Sequence, residues 1–211
     1  SVNGVRLTFL ERHLGTAGDG GNFPMIAIGE LKIYDANGTE VTLAAESFEA
    51  NYTETQEGFE STVARLCDGN FGAQGYYHSP WSGNEPQEFI WIDIEFPAEM
   101  AQFTIEVYSR DKTTSNGAVS LFPKKVAITK VNEGYDPLLF EPNPYNVFVG
   151  EKVANVSDIT ADGLYVIKGL LNTQEVYTAD EDGYITLEGG EGSASYYHGV
   201  SRFHANSAAV R

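Results

Sequence analysis

Residues 88–96 read Glu-Phe-Ile-Trp-Ile-Asp-Ile-Glu-Phe, and this alternation constrains the fold more than any other stretch of the chain. Successive side chains of a β-strand point to opposite faces. Ile90, Ile92, Ile94 and Phe96 therefore share one face, and Phe89, Trp91, Asp93 and Glu95 share the other. The first set predicts a buried face and the second a solvated one; Pro97, which cannot donate to a ladder, predicts the end of the strand.

The same period recurs in short runs bounded by Gly, Asn, Asp and Pro, while helical periodicity is almost absent. Val5, Leu7 and Phe9 alternate inward in the run Val5 to Glu11, and the run Met25 to Asp35 is expected to be its neighbour. Asp35-Ala36-Asn37-Gly38 predicts a turn, because Asn-Gly tolerates positive φ. Thr39 to Ala45, Gln102 to Arg110 and Lys124 to Val131 complete a first strand set. The pattern predicts an all-β chain with an antiparallel β-sandwich over residues 1–135. Three prolines between Asn132 and Tyr145 mark residues 136–150 as a connector. Residues 151–211 again read as strands, with Asp-Gly turns at Asp162 and Asp182. They predict a small β-rich module or the start of a further domain.

Charge narrows the function. With 13 Lys+Arg against 30 Asp+Glu the chain carries a net charge of -17, a field that repels phosphate backbones and anionic lipid. No nucleic acid is expected as a partner, and no membrane insertion, since no apolar run approaches the roughly 20 residues that a spanning helix needs. The single cysteine, Cys67, lies between Leu66 and Asp68, a context for a buried thiol rather than a nucleophile. His13, His78, His198 and His204 are scattered and show no zinc spacing. No nucleophile elbow, Walker loop or dinucleotide fingerprint is present. The chain reads as non-catalytic.

The segment Leu66 to Gly83, Leu-Cys-Asp-Gly-Asn-Phe-Gly-Ala-Gln-Gly-Tyr-Tyr-His-Ser-Pro-Trp-Ser-Gly, is a loop rich in glycine, aromatics and polar groups. In order along the chain come LCDGN, YYHSPWSG, EFIWIDIEFP, IEVYSR and LFPKKVAIT, covering roughly Thr42 to Lys130. This series resembles the discoidin-like, or coagulation-factor type C, domain, a β-sandwich of the galactose-binding-like, jelly-roll fold. VRLTFLE and IGELKIYD resemble the hairpin that closes that domain at its C-terminus, and their position here implies a circularly permuted chain.

The resemblance implies a structural calcium, with Asp68 and Glu30 as side-chain ligands and Arg65, Asn70 and Gly75 contributing main-chain oxygens. The sequence departs from the pattern at Gly75, where relatives often carry a threonine, and the loop is longer. Asp68-Gly69-Asn70 equally reads as a plain turn in which the aspartate caps its own backbone. The resemblance also implies a glycan at the loop end of the sandwich. Tyr76, Tyr77, His78, Trp81 and Arg110 are the types that stack on or hydrogen-bond to a sugar, and Asn116 sits at the tip of a second candidate loop. The alternatives are that Tyr77 and Trp81 pack as core, that His78 hydrogen-bonds Ser79 or a carbonyl, and that Arg110 forms a structural ion pair.

The functional expectation is a non-catalytic carbohydrate-binding module of an extracellular or cell-surface protein, any leader lying outside this sequence and further domains of a longer chain being possible partners. The rival is a protein–protein adhesion or spacer domain without a sugar site. Buried rings at Tyr76 and Trp81 would favour the rival.

Overall fold

The computed structural model describes residues 1–12, 23–56, 59–69, 76–80, 86–108, 121–131, 149–156, 158–159, 165–166, 176–178, 185–186 and 198–206, the strands at 54–56, 59–61 and beyond 148 by backbone alone. In chain order the strands are β1 (Val2–Arg12), β2 (Ala27–Ile28), β3 (Glu30–Asp35), β4 (Glu40–Val41), β5 (Phe48–Ala50), β6 (Glu54–Gln56), β7 (Phe59–Ser61), β8 (Tyr77–His78) and β9 (Ile90–Met100). There follow β10 (Gln102–Tyr108), β11 (Pro123–Lys130), β12 (Val149–Val156), β13 (Asp158–Ile159), β14 (Tyr165–Val166), β15 (Val176–Thr178), β16 (Ile185–Thr186) and β17 (His198–Asn206). Two short 3-10 turns, Ala45–Ser47 and Val63–Leu66, are the remaining regular elements among the described residues.

The strands form an all-β antiparallel sandwich. One sheet runs β16-β11-β1-β9-β5 and the other β15-β12-β17-β10-β3-β4. Alternation builds the core between them: Val5, Leu7, Phe9, Ile90, Ile92, Ile94, Val126 and Ile128 come from the first sheet, and Leu31, Ile33, Phe103, Ile105 and Val107 from the second. Each such side chain contributes about 1.5–3 kcal/mol when fully buried.

Several expectations are corrected. β1 does not pair with the Met25–Asp35 run; its neighbours are β9 and β11, while β3 pairs with β10 and β4 in the opposite sheet. The two runs meet through their apolar faces across the core, so the hairpin from which a permuted order was inferred is not formed. β9 does not stop at Pro97 but continues to Met100. The register shifts there, between Val2↔Met100 and Gly4↔Glu95, and a bulge accommodates a residue without an N–H. β4 is two residues long, because the chain leaves β3 after Val41 and crosses to the other sheet as β5. Of the described strands beyond residue 148, β12, β15 and β17 extend the sheet of β10 and β3, β16 pairs with β11, and β13 pairs with β14 in a two-stranded ladder of their own, as β2 does with β8 and β6 with β7. The later part of the chain thus adds strands to both sheets, covering edges of β10 and β11.

Asp93 is the last correction. It lies on the face away from the core yet is only 2% exposed. Arg6, its cross-strand partner, donates to it through Nε (2.6 Å to Oδ1) and Nη2 (2.8 Å to Oδ2), and the Arg6 guanidinium lies 3.6 Å from the centre of the Trp91 ring. Two-pronged pairing satisfies the carboxylate where water is excluded. Glu95, two residues on, is exposed as expected.

A Cβ at Gly4 would lie 2.6 Å from the Ile94 carbonyl oxygen. Gly4→Ala is therefore expected to destabilise the fold by about 1–3 kcal/mol, read as a lower urea midpoint with an unchanged slope.

Candidate functional site

The residues singled out from the sequence fall into two places. The first is a strap at Tyr76–Ser79. β8 pairs with β2, placing Tyr77 opposite Ile28 and His78 opposite Ala27. Ser79 locks the end of this pairing: its N–H donates to the Ile26 carbonyl (3.0 Å), its hydroxyl donates to the same oxygen (3.3 Å), and the Ile26 N–H donates to Ser79 Oγ (2.9 Å). Tyr77 is fully buried in the core, with its hydroxyl donating to the Tyr52 carbonyl, and burial raises its pKa. Tyr76 packs in a satellite cluster with Met25, Ala27 and Leu121. His78 is buried beside it, with Nδ1 against the Ser79 carbonyl oxygen.

Tyr76, Tyr77 and His78 are thus buried, the arrangement expected of packing and chain anchoring rather than of an exposed stacking face. Trp81, Arg110 and Asn116 lie outside the described residues.

The second place is a corner where β3 meets the turn at Gly69. Glu30 begins β3 and is 2% exposed. Gly69, held at φ +66, turns its N–H toward this carboxylate, donating to Oε2 at 3.1 Å. Glycine is favoured here because a side chain at that φ would be strained. Asp68 lies close enough to repel Glu30, and its own carboxylate faces the Arg65 guanidinium at 3.5 Å. Burial and the Asp68 charge push the Glu30 carboxyl from its usual 4.5 to about 8, against the pull of Lys32 and of the Gly69 and Asp68 N–H groups. Cys67 is half-buried, and its thiol is raised by burial and by Glu30 and Asp68, which keeps it protonated and poorly nucleophilic.

Of the five metal ligands implied by the resemblance, the structure brings Glu30, Asp68 and Arg65 to this corner, while Asn70 and Gly75 lie outside the described residues. The donor set partly fits calcium. Two carboxylates flank the turn, but the main-chain groups it presents to Glu30 are N–H donors rather than oxygen ligands. Among the described residues, no group of three or more His, Cys, Asp or Glu side chains is gathered to hold a metal, so further ligands would be main-chain oxygens.

Beside the corner lies a cleft of about 380 Å³ lined by Glu30, Leu31, Lys32, Glu40, Val41, Thr42, Leu43, Cys67 and Gly69. Sequence reasoning did not find it. Its one local signal is the Asp35–Gly38 turn, where Asp35 Oδ1 accepts from the Asn37 and Thr39 N–H groups and brings Glu40 back beside Lys32, 3.9 Å away. Also missed was Glu106, buried on the outer face of the second sheet and accepting from the hydroxyls of Tyr34 (3.1 Å) and Tyr108 (2.6 Å).

No family model matches the chain, and neither a curated protein nor a solved structure matches it.

The raised Glu30 carboxyl has a definite consequence for stability. The folded protein binds this proton more tightly than the unfolded chain, so the contribution is complete below about 4.5 and is lost as pH rises through about 8. Without added metal, thermal midpoints of the wild type are expected to fall across that window. Glu30→Gln should flatten the decline; an unchanged slope in the variant would place the titration elsewhere.

Proposed function

We propose that the chain is a non-catalytic binding module of a secreted or cell-surface protein, with a structural calcium at the Glu30–Asp68 corner and a glycan as its ligand at the loop end of the sandwich. The observation that carries this reading is the corner itself. A buried carboxylate sits beside a second one at a turn, with repulsion between them that a cation would relieve. The ordered series of motifs resembling the discoidin-like domain supports the same location. When bound, calcium would supply positive charge that holds Glu30 ionised and ties the turn at Gly69 to β3. Glu30 and Asp68 would hold it, joined by main-chain oxygens of Arg65, Asn70 and Gly75.

The glycan would be met by Trp81, Arg110 and Asn116, which remain in the ligand set once the three strap residues have left it. Catalysis is disfavoured by the use already made of the carboxylates: Asp93 is engaged by Arg6, and Glu106 by two tyrosine hydroxyls. A second reading, a protein–protein adhesion or spacer domain, is favoured by the burial of Tyr76, Tyr77 and His78.

Calorimetric titration with calcium is expected to show saturable binding in the wild type and at least a tenfold loss in Glu30→Gln. Equal heats in the two proteins would contradict the site. A glycan array run with calcium should then give selective binding that is lost in a folded Trp81→Ala variant. A blank array with intact calcium binding would turn the proposal to the adhesion reading.

A further inference from the structure

The cleft beside the calcium corner exists because of how the chain changes sheets. β3 and β4 pair only through Ile33↔Val41 and Tyr34↔Glu40. Beyond Val41 the chain passes through Thr42 and Leu43 into a 3-10 turn and joins the opposite sheet as β5. Among the described residues, no strand pairs with β3 from Glu30 to Lys32 on that side.

Main-chain direction follows from two hydrogen bonds. At one end of β3 the Gly29 N–H donates to the Tyr108 carbonyl (2.7 Å), toward β10, in a bulge that sets Gly29 and Glu30 opposite Tyr108. At the other end the Asp35 N–H donates to the Thr39 carbonyl (2.9 Å), toward β4. Strand residues alternate the side to which their N–H and C=O groups point. Asp35, Ile33 and Leu31 therefore face the β4 side, and Leu31 faces the cleft. This explains why Leu31, whose side chain is buried in the core at 2% exposure, also lines the cleft: it does so through its backbone. Among the described residues, no main-chain hydrogen bond joins Leu31 to Leu43 across the gap.

An open strand edge inside a cleft is matched by another extended chain, whose main-chain groups give affinity while its side chains give selectivity. The charge around the cleft selects which chain. Glu40 lines it beside Lys32, Glu46 lies near enough to act on Cys67 at its end while Asp68 is met by Arg65, and the whole molecule carries -17. We propose that this cleft receives an extended basic segment of a partner protein, which adds as a short strand to the open edge of β3 beside Leu31. The proposal rests on the adhesion reading of the module and gives it a site.

The test uses the full chain and three labelled synthetic hexapeptides followed by fluorescence anisotropy. One alternates lysine and valine, the second alternates glutamate and valine, and the third repeats the first with alternate main-chain nitrogens methylated. Saturable binding of the lysine peptide is expected, at least tenfold tighter than either of the others. Thr42→Trp, which fills the cleft from an exposed position, and Glu40→Lys should each weaken it at least tenfold. Equal affinity of the methylated peptide would show attraction by charge alone and overturn strand addition. Absence of saturable binding in a protein that still binds calcium would overturn the site while leaving the binding-module reading intact. Self-association at rising concentration, abolished by Thr42→Trp, would overturn the basic segment in favour of a second copy of the chain.

Discussion

Everything in this molecule depends on how polar groups are satisfied once strand alternation has committed alternate residues to a core between two sheets. An unpaired buried charge costs several kcal/mol, and the sandwich meets that cost locally. Asp93 has the two-pronged guanidinium of Arg6, Glu106 has the hydroxyls of Tyr34 and Tyr108, and Ser79 exchanges hydrogen bonds with both main-chain groups of Ile26. Among these buried carboxylates, Glu30 is the one held by main-chain N–H groups at a turn rather than by a side chain, and its acidic neighbour Asp68 repels it. This partly compensated corner is where a bound cation would gain most.

The same residue joins the two candidate sites. Glu30 stands at the start of β3, so its carboxylate reaches the Gly69 turn while its strand continues into the open edge at Leu31. A cation at the corner would fix the turn that closes one end of the cleft. The crossing from β4 to β5 opens the other side, and the Lys32–Glu40 pair borders it.

Much of this fold was legible in the residue pattern. The isoleucines of β9 and the Val5-Leu7-Phe9 series declare their faces without reference to anything distant, and the Asp35–Gly38 turn declares itself through glycine, which adopts φ +78. What the pattern does not carry is partner choice. The runs of β1 and β3 both bury one face, and nothing local says whether they meet edge to edge or across a core. The three prolines before residue 145 read as a boundary, yet strands beyond them pair with β10 and β11. Long-range pairing of this kind is a property of the whole chain rather than of any window.

Part of the proposed corner was legible too: Glu30 lies close to Asp68, which Arg65 faces, although more than thirty positions separate Glu30 from both in the chain. The aromatic-histidine run gave no sign of its burial, because a loop composition that suits a sugar suits an anchored core strap equally well. Asp93 was misleading in the opposite direction: its alternation marks a solvated face, and only the distant Arg6 reveals why it is buried.

The most direct test of the account is a carbon-detected magnetic resonance titration of the Glu30 side-chain carboxyl, carried out with and without calcium. Without the ion the carboxyl should titrate near 8, and with it the midpoint should fall well below that value as the ionised form is favoured. A midpoint near the usual 4.5, unmoved by calcium, would show that Glu30 is an ordinary carboxylate and would remove the corner on which the functional reading stands.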